Sequence, residues 1–197
     1  MRVPGLMLKT AAILLSALGV LLLCVFYGPH QRRYAAPPVV RDVARYVDIY
    51  HLWEQERVKG RILYLFDRRA FRSDRGTEAT DDNYLDLAVK KGIVRHVFHI
   101  VPASAWAEVQ KNLRGDARFS LTDGVFVLPM EEGRLYVTTI DRITAQPEKV
   151  LVVVNREVWS AGELAQISRL MGQGGLKCDL VVFRGMLQAT NSKPLNL

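Results

Sequence analysis

The chain has 197 residues, 49% hydrophobic and 24% charged, with 27 lysines and arginines against 20 aspartates and glutamates for a net charge of +7. That mixture excludes a long disordered tail, and a surplus this small, with no dense basic stripe, argues against nucleic acid as a partner. Its two cysteines, Cys24 and Cys178, lie in a hydrophobic segment and at the start of an apolar run, so they build no disulfide framework.

Residues 11–27 read AAILLSALGVLLLCVFY, without a charge, between Lys9 and the pair Arg32 and Arg33. As a helix rising about 1.5 Å per residue this segment spans roughly 25 Å, close to a hydrocarbon core of about 30 Å. No small-x-small cleavage site comes after it, and Leu23 precedes Cys24 where a lipoprotein signal needs a small residue. Residues 1–28 are therefore expected to be an uncleaved signal anchor, with membrane contact through residues 11–27. The short basic start and compact anchor point to a single pass through a bacterial inner membrane. Flanking positive charge is close to a tie between the two sides and leans slightly toward a cytoplasmic domain; against it, short N-termini of this kind often stay inside and export the chain beyond the anchor. The expectation is an extracytoplasmic domain.

Residues 29–38, with Pro29, Pro37 and Pro38, read as a linker. Val39, Val43, Val47, Tyr50 and Trp53 then recur at helical spacing, which predicts an amphipathic juxtamembrane helix from residue 39 to near Gly60. Residues 61–66 (RILYLF) predict a strand ending at Asp67. After a polar stretch, Thr80, Asp81 and Asp82 open a helix closed by Gly92. A strand over residues 93–101 leads to a helix begun at Pro102 and stopped at Gly115. Residues 119–121 form a short strand, and residues 125–128 and 134–140 a hairpin around Glu131, Glu132 and Gly133. Residues 150–154, five apolar residues in a row, predict a strand buried on both faces. Ser160 and Glu163 form a capping box for a helix that runs to Gly172. Residues 180–183 make the last strand, and residues 187–197 read as a loose tail.

This order predicts one three-layer α/β domain over residues 39–186, with a mainly parallel mixed sheet and one antiparallel hairpin. In such sheets ligands bind beyond the C-terminal strand ends. That edge would collect Asp67, Arg68 and Arg69 after the first predicted strand, Ser104 after the second, Asn155 and Arg156 after the valine-rich strand, and Arg184 after the last. Arginine forks suit phosphate or carboxylate groups, so Arg68, Arg69, Arg156 and Arg184 are candidate anion-binding residues. Asp67 is a candidate base or nucleophile, although Arg69 stands where a phosphatase of the haloacid dehalogenase type has its second aspartate. The polar ends of an ordinary sheet would carry the same residues simply to stay soluble.

Other residues carry weaker signals. His96 and His99, three apart on a strand, point to opposite faces and cannot chelate. Asp81 and Asp82 are helix-start residues before they are metal ligands, and no metal or cofactor is expected. Gly172, Gly174 and Gly175 come after a helix, whereas a phosphate loop precedes one. Two functions fit. In the first, the protein is a membrane-anchored accessory or binding protein of a cell-envelope system that recognises a partner protein or an anionic envelope component. In the second, it is a membrane-tethered enzyme acting on a phosphate- or carboxylate-bearing substrate through Asp67.

Overall fold

A computed structural model describes residues 37–68, 76–143, 148–172 and 175–185. The chain divides between Pro37 and Pro38, and the described strands and helices lie in the second part. The expected anchor (residues 11–27), Arg69 and the tail (residues 187–197) fall outside the described residues. Among the described residues no helix is long and apolar enough to cross a membrane.

Eight strands form one mixed sheet: β1 (Val39–Val43), β2 (Arg61–Phe66), β3 (Val94–Val101), β4 (Ser120–Thr122), β5 (Val125–Met130), β6 (Gly133–Thr139), β7 (Lys149–Asn155) and β8 (Lys177–Arg184). Their spatial order is β1-β8-β7-β2-β3-β6-β5-β4. All pairs from β1 to β6 are parallel, and β5 and β4 complete an antiparallel end. The α/β architecture is as expected from the sequence; the short strand expected at residues 119–121 is β4, paired to the hairpin, and β1 is an added edge strand. Four helices accompany the sheet: α1 (Tyr46–Gln55), α2 (Tyr84–Lys90), α3 (Ala103–Arg114) and α4 (Ala161–Gly172).

The predicted juxtamembrane helix is corrected at its start. Val39–Val43 is an edge strand in register with Leu180 to Arg184 of β8, and the helix begins only at Tyr46. Val39 and Val43 do sit four apart, but β-branched residues on an open edge pair as readily as they coil. The helix start is marked instead by Arg45 and Asp48, where the backbone N–H of Arg45 donates to Asp48 Oδ2 at 3.1 Å. Charged Arg41 and Asp42 interrupt the exposed edge and discourage further strand addition.

Period-two alternation sorts the core into two layers. Leu63 and Leu65 of β2 pack with Val97, Leu151 and Val153 under α1, α2 and α3. Ile62, Tyr64 and Phe66 pack with Val150, Val152 and Val154 under Ile167 and Met171 of α4. Helices therefore cover both faces, and β7 is buried along all but its first residue. The Ser160–Glu163 capping box forms: Glu163 accepts from the Ser160 backbone N–H at 3.0 Å, and Ser160 Oγ accepts from the Glu163 N–H at 3.3 Å.

The order also sets a switch point. Strand β2 leads through α2 to β3 on one side, whereas its neighbour β7 leads through α4 to β8 on the other. Two adjacent parallel strands whose outgoing connections diverge leave a crevice at their C-terminal ends. Asp67 lies just past the end of one of them and Asn155 ends the other.

Candidate functional site

Asp67 is 1% exposed and Asn155 3%, so their polar atoms must find partners inside the protein. Tyr46, the first residue of α1, donates its hydroxyl to Asp67 Oδ2. Asn155 Nδ2 lies 3.0 Å from Asp67 Oδ1 and 2.9 Å from the Tyr46 hydroxyl, and the Arg68 backbone N–H donates to Asp67 Oδ1 at 2.7 Å. A single carboxylate thus ties β2, β7 and α1 together. A carboxylate offers about four lone-pair sites, and three are filled by these bonds. That arrangement suits a positioning group far better than a base or nucleophile facing a substrate.

The Asp67 backbone carbonyl accepts from His99 Nε2 at 3.0 Å. A carbonyl can only accept, so Nε2 carries the proton in the neutral ring. His99 is buried, and burial lowers its pKa, opposed by the field of Asp67 and the bond to its carbonyl. His96, three residues earlier, faces the other layer beside Tyr136, so the two histidines part as their spacing predicts.

The sign of the resulting pH dependence comes from proton counts. Between the lowered folded pKa and the ordinary histidine value near 6.5, the unfolded chain binds the proton and the folded chain does not. Stability is therefore complete above about pH 6.5 and falls as pH drops, with a limiting slope of about 1.4 kcal/mol per pH unit. Denaturant titrations at pH 7 and pH 5 should show the loss in the wild type and a smaller one in His99→Gln. Equal losses in both would mean that His99 is not the group responsible.

The three described arginines of the predicted anion site do not converge. Arg68 reaches α3 and pairs with Glu108 at 3.1 Å. Arg156 pairs with Asp42 at 2.7 Å and covers the Phe183 ring at 4.0 Å. Arg184 pairs with Glu157 at 2.8 Å, donates to Asn155 Oδ1 at 3.2 Å and covers the Tyr46 ring at 4.4 Å. Each already holds an acid, so an anion would have to displace a carboxylate to reach it. Asp81 accepts from the Val47 backbone N–H at 2.8 Å and so caps α1. Burial raises the Cys178 thiol to about 11, far from a reactive thiolate. Among the described residues no cluster of His, Cys, Asp and Glu could hold a metal ion.

Beside this network lies a cavity of about 600 Å³, within the range of small-ligand and peptide pockets. Its walls come from α2 (Val89), α3 (Val109, Leu113) and the β5–β6 hairpin (Leu128, Leu135, Val137). His99 and Arg68 line it as well, and they join it to Asp67. Charged rim residues include Lys90 with Asp86, at 2.6 Å, and Arg118 with Asp116. Hydrogen bonds from Arg118 hold the half-buried Asp116 carboxyl at about 2.

Sequence reasoning placed Asp67 and Asn155 at strand ends on one edge of the sheet, where the structure puts them on adjacent strands, but did not single out Tyr46 or bring His99 to the same spot. A tyrosine opening a helix has no local signature that marks it as the partner of an aspartate 21 residues on. Comparison with protein-family models, with curated proteins and with solved structures finds no match.

Proposed function

We propose that this is a membrane-anchored binding protein of a cell-envelope system. In this reading the hydrophobic segment at residues 11–27 holds the chain in a bacterial inner membrane, and the α/β domain, on the extracytoplasmic side, recognises a partner protein. The observation that carries the reading is the apolar cavity between α2, α3 and the β5–β6 hairpin, next to the strand ends where α/β sheets bind their ligands. Two further observations support it over the alternatives. Asp67 is buried and engaged by three donors, which disfavours a tethered enzyme using it as base or nucleophile. Arg68, Arg156 and Arg184 are each ion-paired, which disfavours an anionic envelope component and favours a protein.

The test uses the full chain in its native membrane. A photo-reactive amino acid replaces Asn112, at the cavity rim, or Gln166, exposed on α4 across the sheet. The expected result is a carbonate-resistant membrane protein that gives one discrete adduct from position 112, absent from position 166 and lost in Leu113→Glu. A chain released by carbonate removes the anchor from the proposal. Equal adducts from both positions remove the cavity.

A further inference from the structure

On the reading that the cavity is a binding site, its charges say what its occupant must carry. Among the described residues, three cations line the cavity, and each is matched by a carboxylate: Arg68 by Glu108, Lys90 by Asp86 and Arg118 by Asp116. His99 is held neutral by burial. Glu131 and Glu132 remain. Both lie in the exposed β5–β6 turn, line the cavity, and have no ion pair among the described residues. Among the described residues the site is therefore an apolar trough whose uncompensated charge is negative and sits at one end.

Its length accommodates a short chain segment. The lining runs along β6 from the turn to Val137, which lies opposite His99 on β3. From Gly133 to Val137 a strand rises about 13 Å at about 3.3 Å per residue, close to two and a half turns of helix.

We propose that this trough takes a segment of a partner protein that presents two or more aliphatic or aromatic side chains to Val109, Leu113 and Leu128 and a lysine or arginine to Glu131 and Glu132. The apolar contacts supply most of the affinity, and the paired glutamates fix the direction in which the segment lies. A wrong-way segment would leave its cation over the apolar wall and expose its apolar residues at the turn. The preference is a recognition term, strong at low salt and weakened by screening.

Two labelled twelve-residue peptides provide the test, with leucine and phenylalanine at the same helical positions and either lysine or glutamate at the others. Binding is followed by fluorescence anisotropy to the full chain in discs of zwitterionic lipid, with empty discs as background. The lysine peptide should bind at least about ten-fold more tightly at low salt, and the preference should shrink as salt rises. Glu131→Gln with Glu132→Gln should bring the two peptides to nearly equal affinity without weakening the glutamate peptide. Leu113→Glu, or Asn112→Trp should the first variant not fold, should weaken both. Equal affinities in the wild type, or a lysine preference that survives the double glutamine variant, would overturn the charge assignment. If both peptides are still weakened by the cavity variants, the binding reading itself stands. Failure of the wild type to bind either peptide overturns both.

Discussion

Asp67→Ala is expected to lower the free energy of unfolding by about 3–5 kcal/mol, the range for removing one partner from a buried charged network. The substitution removes the acceptor for the Tyr46 hydroxyl, the Asn155 amide and the Arg68 N–H at once, and each orphaned buried donor costs about 1–3 kcal/mol. Part of that is recovered because Asn155 still bonds the Tyr46 hydroxyl and Arg184 still bonds Asn155. In a domain of this size the loss should appear as a fall of roughly 10 °C in Tm. Asp67→Asn keeps the shape and one acceptor oxygen, so its cost should be nearer 1–2 kcal/mol. The pair of variants also separates the two functions. If the domain is a binding module, Asp67→Asn should retain its partner once the lost stability is allowed for. An Asp67-dependent enzyme would lose its turnover in the same variant at full occupancy of the fold. A loss below about 1 kcal/mol in Asp67→Ala would mean that the network does not hold the strand ends together.

Gly133→Ala is the second large effect expected. Gly133 opens β6 with φ of +138°, and a Cβ built there would lie 1.5 Å from the carbonyl oxygen of Arg95 on β3. That oxygen is backbone, so no side-chain rotation relieves the clash. The strand must move away from β3 where His96 and Arg134 are paired. Unfavourable backbone geometry alone costs about 1–3 kcal/mol, and the broken pairing adds to it, so a total of about 3 kcal/mol or more is expected. Gly162→Ala is the control: it lies in α4 with nothing within 4 Å of an added Cβ, and alanine there should be neutral or stabilising by up to about 1 kcal/mol. Denaturant midpoints for the two variants should move in opposite directions or, at the least, differ by the full cost of the Gly133 clash. Similar midpoints would show that the β5–β6 turn tolerates a side chain.

Much of the sheet was legible because its strands carry patterns that have few other readings. The run VLVVV in β7 and the RILYLF segment of β2 are too short and too uniformly apolar for an exposed helix, and both are buried strands. Their helices are bracketed by local chemistry, such as Ser160 with Glu163 and the stop at Gly115. β1 was misread because its valines fit two periods at once, and the choice between them is made by β8, more than 130 residues away. Such a partner is invisible to any local window. The site divides in the same way. Strand ends give Asp67 and Asn155, since parallel connections bring their C-terminal ends to one edge; that the two strands are neighbours comes only with the strand order. Tyr46 and His99 join them only through packing between layers. The cavity is assembled from α2, α3 and the hairpin, none of which carries a signature for it. Counting charges near Asp67 also overstated the free arginines, because a sequence shows each cation but not the carboxylate that faces it.

The position of β8 bears on how the chain comes to be folded as it is made. It lies between β7 and β1 and is the partner through which β1 joins the sheet. As an N-terminal segment emerges first during synthesis, β1 is made early yet has no place to dock until residues 177–184 have appeared. Through that interval β7, almost wholly apolar, presents a bare edge where β8 will lie. Closure of the sheet on that side is thus the last step available to the nascent chain, and it joins residues at nearly opposite ends of the domain. A loop closure of that span slows folding and leaves the valine-rich edge of β7 as the surface most in need of shielding until the final strand arrives.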